Sequence, residues 1–275
     1  MSGTVRLGGM ALANGVLVHG PEHWACAIRD RDGLIRVASG RKPFIAAEHG
    51  ARALQGPLKL AEIFALLPVI RRCLPEAKLA FAQPRVAVTM GLSAAVVRAL
   101  RMSRLTPPAQ EALGALASLV PAAVALRGTA LAEYHGAEHV SIGSYEHGEQ
   151  REREHERCGS HLVGPLLLTS AAGGLAARRV RGPLQPLARI GAALGAVTAS
   201  IELFGWMTRN REHPIARVLA RPGHELQHRL VTAEPSAEQL EVANAALVAC
   251  LELEDHPSEL DSPHGDGNSQ TPPIA

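Results

Sequence analysis

The chain has 275 residues, 47% of them hydrophobic but only 3% aromatic, and its 28 Lys and Arg face 26 Asp and Glu. So even a charge balance leaves no broad electrostatic footprint for nucleic acid, and a chain of this length buries one large core or two modest ones. The apolar content is mostly Ala, Leu and Val, which suits closely packed helices in water or in lipid. Cys26, Cys73, Cys158 and Cys250 lie far apart with no Cys-x-x-Cys pair, which excludes a disulfide framework and a zinc ribbon. They read as free thiols of a reducing compartment. Residues Met1 to Arg6 lack a basic region followed by an apolar run, so no secretory signal is visible.

Residues Leu7 to Val16 are apolar and punctuated by glycine, unlike a helix interior. Two β-prone runs, Trp24 to Arg29 and Leu34 to Ser39, flank Asp30-Arg31-Asp32-Gly33, the pattern of a hairpin. A small sheet is expected over residues 5–40. No Gly-x-Gly-x-x-Gly and no Gly-Lys-Ser/Thr follows, so a nucleotide loop is not indicated. Residues Pro57 to Leu74 form a helix pattern with apolar residues on more than one face, opened by Pro57 and kinked or interrupted at Pro68. Such a helix is wrapped by others or lies on a membrane.

Four apolar segments follow in turn: Val86–Leu100, Ala112–Leu126, Leu162–Ala177 and Ile190–Met207. A spanning helix wants about 20 consecutive apolar residues. Arginines bound the first, Pro121 interrupts the second and Glu202 the last, so a soluble bundle and a membrane bundle both stand at this point. Arg101, Arg104, Arg178, Arg179 and Arg181 lie between segments, and the positive-inside rule would hold them in the cytoplasm. That places the intervening histidine stretch on the opposite side, whereas reduced cysteines argue for the cytoplasmic side.

Residues 134–161 hold most of the chemistry. His135 and His139 stand one helical turn apart on one face, able to converge on a single ion. Glu138 shares that face, and His135-x-x-Glu138-His139 has the form of the inverted zinc-peptidase pattern. Neutral imidazole is the commonest ligand for zinc and similar ions. His147, His155, Cys158 and His161 follow at once, and both tyrosines, Tyr134 and Tyr145, lie here. The plainer alternative is a solvated, titrating loop between two apolar helices, since Gln150–Glu156 is a charge run. Glu202, a carboxylate inside an apolar helix, is costly unless paired or bound. It is a candidate third ligand, or a carboxylate that reaches solvent or an arginine. A second i, i+4 pair, His224 and His228, follows Pro222-Gly223, read as a turn. Pro235 then leads into an amphipathic helix to Leu253 with Ser236 as its N-cap, and from Glu254 the tail has a disordered composition.

At these residues the chain resembles the YqhQ-like family, bacterial proteins of unknown function often labelled predicted metal-dependent enzymes. Gly8-Gly9-Met10-Ala11, Asn14-Gly15-Val16 and Leu54-Gln55-Gly56 resemble its opening, and Tyr134 to His139 with Tyr145-Glu146 its most specific signature. His155 with Arg157-Cys158-Gly159-Ser160, then Ser200 to Leu203, and scattered residues from Pro222 to Ala243 complete the likeness. The family usually carries an acid where this chain has Asn14 and a lysine where it has Val140. The resemblance implies a multi-pass protein of the bacterial cytoplasmic membrane and supplies no established reaction.

The expectation is therefore an α+β chain: a β-rich segment at 1–50, a mainly helical, membrane-associated domain at 51–253, and a tail at 254–275. His135, His139 and Glu202 are expected to bind a divalent ion, zinc by ligand chemistry. Glu138 is the expected general base, Tyr134 or Tyr145 the donor to an oxyanion, and His155 and Cys158 supporting groups or alternative ligands. The function expected is that of a metal-dependent hydrolase at the membrane, its site on the cytoplasmic side. The rival is a non-enzymatic membrane scaffold with a closed structural site such as His135, His139, His155 and Cys158. Metal handling would need ligands along a path through the apolar helices.

Overall fold

A computed structural model of the chain describes residues 4–45 and 55–255. The linker before Gln55 and the tail expected beyond Asp255 lie outside the described residues. Four strands, β1 (Gly8–Leu12), β2 (Gly15–His19), β3 (His23–Arg29) and β4 (Ile35–Arg41), form an antiparallel meander in chain order. The β3–β4 hairpin turns where Asp30 and Gly33 predict it, with Gly33 at φ 81° and the Asp30 carboxylate accepting from the Asp32 and Leu34 amides. An L side chain rarely adopts that φ, so glycine is required there.

Strand alternation sends side chains to two different cores. On one face Leu17, Cys26, Ile28 and Trp24 pack against Leu66, Ile70 and Leu74 of α1 (Gln55–Cys73) and its exit. The helix continues through Pro68 rather than breaking there. On the other face Val16, Val18, Ala25 and Ala27 meet Tyr134, Ala137 and Ile142 of α4 (Ala130–His147) and Val242, Ala246 and Cys250 of α8 (Ala237–Asp255). The first and last parts of the chain thus share one core around α4. Burying a leucine such as Leu17 completely is worth roughly 1.5–3 kcal/mol. Ser236 caps α8 as expected, its amide bonded to the Gln239 carboxamide and its hydroxyl to the Gln239 amide. The helix runs further than expected: Glu254 is inside it and accepts from the Glu22 and His23 amides.

The rest is two helical hairpins and a cross-brace. Helices α2 (Pro84–Met102) and α3 (Pro107–Leu126) pair, as do α5 (Val163–Ala177) and α6 (Gln185–Arg209), while α7 (Pro214–Leu226) packs against the turn that precedes α5. Helix α3 also packs on α5. Hydroxyls stitch each pair: Ser93 donates to the Ala117 carbonyl at 2.6 Å and Thr169 to the Ala196 carbonyl at 2.9 Å. Arg178 ties the end of α5 to Gln110 and Glu111 at the start of α3. Pro222 and Gly223 lie inside α7 instead of forming a turn. A β-carbon at Gly223 would stand 2.6 Å from the His161 Cα, so the missing side chain is what lets α7 close on that backbone.

Three segments, Pro107–Leu126, Gly159–Ala177 and Gly182–Arg209, are long and apolar enough to cross a membrane, and only 11–22% of each is buried within the protein. Twenty helical residues rise about 30 Å, the thickness of a bilayer's hydrocarbon. The segment at Val86–Leu100 is not among them. Its helix carries Arg85 in the first turn and Arg98 and Arg101 near the end, although Val88 and Leu92 are each 61% exposed.

Candidate metal centre

The site forms where the two halves meet. Helix α4, buried on most sides, contributes His135 and His139, and the 3₁₀ turn Gly159–Leu162 is entered from Cys158. His135, His139 and Cys158 offer ligand atoms that all lie within 4.8 Å of one another. The two imidazole rings meet edge to face with centroids 4.4 Å apart, and Cys158 Sγ is 3.4 Å from His135 Nε2. Cys158 and His139 are buried, and His135 is half-buried.

Backbone carbonyls set the direction of both rings. His135 Nδ1 donates to the Val231 carbonyl at 2.8 Å and His139 Nδ1 to the Arg153 carbonyl at 2.6 Å. With Nδ1–H engaged, the lone pair is left on Nε2, the arrangement that orients a metal-binding histidine. Two local features hold those carbonyls close. At Gly136 a β-carbon would meet the Ala233 carbonyl oxygen at 2.1 Å, so glycine alone admits the chain that carries Val231. That chain runs through a single π turn, Gln227–Val231, a form frequent at functional sites.

Glu138, on the same helix, lies beside the group without belonging to it. It is buried, with a carboxyl pushed up to about 7, chiefly by loss of hydration, with His135 pulling it down and Cys158 pushing it up. Its carboxyl takes no hydrogen bond from any described residue. The carboxyl lies against Gly9 of β1, where a β-carbon would stand 2.3 Å from Oε1. Burial also holds His139 well below the ordinary imidazole range, with His135 adding to the effect, and raises the Cys158 thiol. The neutral His139 imidazole suits ligation as it stands; a bound cation would have to displace the thiol proton.

The remaining candidates are placed elsewhere. Glu202 is exposed on α6 and is not in the group, so the expected convergence of this acid on the histidines is replaced by Cys158. His155 stacks 5.5 Å from His139, but Nε2 faces Glu146 at 3.3 Å and Nδ1 accepts from the Arg157 amide at 3.3 Å. Arg157 and Glu146 pair directly. His155 therefore braces the site. Tyr134 is buried in the sheet-side core, and the Tyr145 hydroxyl accepts from the Val5 amide at 3.1 Å. Both phenols are engaged on the sheet side of α4, so neither is gathered with the imidazoles. His147 Nδ1 turns back to the Gly143 carbonyl. His224 and His228 both face the Glu154 carboxylate, at 3.3 and 2.7 Å, on the exposed surface.

Three supports were not legible. Gln227, buried, accepts from the His155 amide at 2.8 Å and reaches His161 Nε2 at 2.9 Å, linking both histidines to the π turn. Gly9 gives Glu138 its room. Asn14 knots the sheet, donating to the Arg29 and Glu76 carbonyls and accepting from the Lys78 amide. An acid at that position could accept but not donate, so the three bonds together need the amide.

What fold and site define is a sheet-capped helical protein with three apolar helices and a His-His-Cys group able to hold a metal ion. Residues 129–253, from the residue before α4 almost to the end of α8, match the family described as Protein of unknown function (DUF1385). That match covers His135, His139 and Cys158 and agrees with the YqhQ-like resemblance. No curated protein and no solved structure matches the chain.

Proposed function

We propose that this is a membrane-associated, metal-dependent hydrolase-like protein with a zinc centre held by His135, His139 and Cys158. The observation that carries the reading is a three-ligand group with a buried carboxyl beside it that has no hydrogen-bond partner among the described residues. Three protein ligands are the pattern of catalytic zinc, which keeps a position open, whereas structural zinc is closed by four. His155, the natural fourth, has both ring nitrogens engaged. That weighs against the scaffold reading.

When bound, a divalent ion there supplies Lewis-acid polarisation of a water or a carbonyl. His135 and His139 present Nε2 to it, their tautomers fixed by the Val231 and Arg153 carbonyls. Glu138, titrating near neutrality, is matched to take a proton from a water and return it to a leaving group. A peptide or amide bond is the substrate class by analogy with the His-x-x-Glu-His pattern. Its place is a cytoplasmic membrane, supported by the three apolar segments, with the site on the cytoplasmic side as free thiols suggest.

The test is cleavage of a peptide library by the purified full chain, by the chelator-treated chain and by Glu138→Gln. Cleavage by the wild type, lost in the other two while Glu138→Gln keeps its metal, is the expected result. Metal retained in a wild type that cleaves nothing favours the scaffold, and undiminished cleavage by Glu138→Gln removes the assigned base.

A further inference from the structure

A second site lies outside the metal centre, among the helices of the two hairpins. A cavity of about 280 Å³ runs between α3, α5 and α6, reached by the end of α2. Its existence follows from small side chains. Gly114 and Ala115 on α3, Gly174 on α5, and Ala192, Ala193 and Ala196 on α6 line it, and leave a slot where larger residues would interdigitate. Val163, Leu166, Leu167 and Leu119 make most of the remaining wall apolar, with the Ser118 and Ser170 hydroxyls among them.

The slot is polarised along its length. Val163 opens α5 at the metal-centre end and Ala196 lies midway along α6, while Arg101, Arg178 and Arg189 stand at the opposite end, where both hairpins turn. From Val163 to Arg178, fifteen helical rises give roughly 22 Å, more than half of a bilayer's hydrocarbon thickness. Arg178 is committed, paired with Glu111 and Gln110. The side chains of Arg101 and Arg189 have no hydrogen-bond or ion-pair partner among the described residues. Around the two turns, residues 98–111 and 178–189 hold seven arginines against the single acid Glu111.

We propose that this slot takes one hydrocarbon chain of an anionic membrane lipid, whose phosphate is gripped by Arg101 and Arg189. Guanidinium forks match phosphate geometry, and the apolar walls match an acyl chain and nothing charged. The volume is that of a segment of one acyl chain rather than of a whole lipid. The lipid would fill the space the small residues leave and neutralise the cations at the turn. The proposal rests on the reading of the hairpins as membrane-embedded, and it is independent of any reaction at the metal centre.

The experiment reconstitutes the full chain into phosphatidylcholine vesicles with or without one part in five dioleoyl-phosphatidylglycerol. It measures flotation, thermal midpoint, and lipid retained after detergent extraction. Flotation of the wild type in pure phosphatidylcholine tests the membrane reading by itself. Phosphatidylglycerol should raise the midpoint and be retained over phosphatidylcholine. Arg101→Gln/Arg189→Gln should retain about tenfold less or lower, since charge-assisted bonds to phosphate are removed. Ala115→Phe, which fills the slot and keeps both arginines, should lose the midpoint rise as well, and Ser170→Phe replaces it if Ala115→Phe does not fold. Retention by the plugged variant equal to wild type would mean adsorption at a basic surface and overturn the proposal. So would equal retention by the double arginine variant, or an equal midpoint rise with inorganic phosphate alone.

Discussion

The two halves of the molecule use the same small aliphatic alphabet to opposite ends. In the sheet half, Leu12, Val16, Leu17 and Ile28 are at most 1% exposed, closed between α1 on one side and α4 with α8 on the other. In the hairpin half, Leu92, Leu116, Leu187 and Leu194 are 53–66% exposed. Apolar surface left bare on this scale is not expected of a monomer surrounded by water. Composition alone does not distinguish the halves; what they are packed against does. The His-His-Cys group sits at the seam, its histidines on the sheet half and its cysteine at the turn that opens the other.

The largest expected effect is in the sheet core. Leu17→Ala removes a fully buried side chain and should lower unfolding free energy by roughly 2–5 kcal/mol, measured by denaturant titration of the solubilised chain. Leu116→Ala, 53% exposed, should shift it by less than about 1 kcal/mol. Equal losses at both positions would mean that α3 is covered by protein. Next comes Leu194→Arg, at a position 66% exposed within an apolar segment. A lipid-facing arginine there should cost insertion about 3 kcal/mol and deplete the membrane fraction. A water-facing one should change nothing beyond about 0.5 kcal/mol.

Smaller is Asn14→Asp. It removes two donated bonds to the Arg29 and Glu76 carbonyls and should cost roughly 1–3 kcal/mol by the same titration. Asn14→Ala losing no more than Leu116→Ala would show that the knot is dispensable. Smallest is a labelling contrast that leaves the fold untouched. Cys73 is exposed, while burial pushes the Cys26 and Cys250 thiols up to about 12. An alkylating reagent at pH 8 should modify Cys73 and spare the other two until the chain is unfolded, since the thiolate is the reactive form. Mass spectrometry of the digested chain reads this directly.

The elements were legible where periodicity and turn chemistry act locally. Asp30 to Gly33 announced its hairpin, Ser236 its helix, and the i, i+4 spacing of His135 and His139 their shared face. Three of the four apolar segments correspond to helices able to span. What stayed hidden depends on distant chain segments. The carbonyls that orient the imidazoles come from Arg153 and Val231, and a carbonyl has no letter. Gly9 and Gly136 are needed because another chain comes within a methyl group's reach, a fact fixed by packing alone. That Cys158 rather than Glu202 is gathered with the histidines is hidden for the same reason. Glu202 stands out because it interrupts an apolar helix, yet it lies outside the group, whereas Cys158 reads only as a supporting group or alternative ligand until the turn after it brings it to His135.

Elemental analysis of the purified full chain, alongside His139→Ala, Cys158→Ala and Glu202→Ala, tests the metal centre most directly. About one zinc per chain is expected in the wild type and in Glu202→Ala, falling to a small fraction in the other two, since each loses one of three ligands. Equal metal in all four proteins, or loss in Glu202→Ala with retention in Cys158→Ala, would contradict the site described.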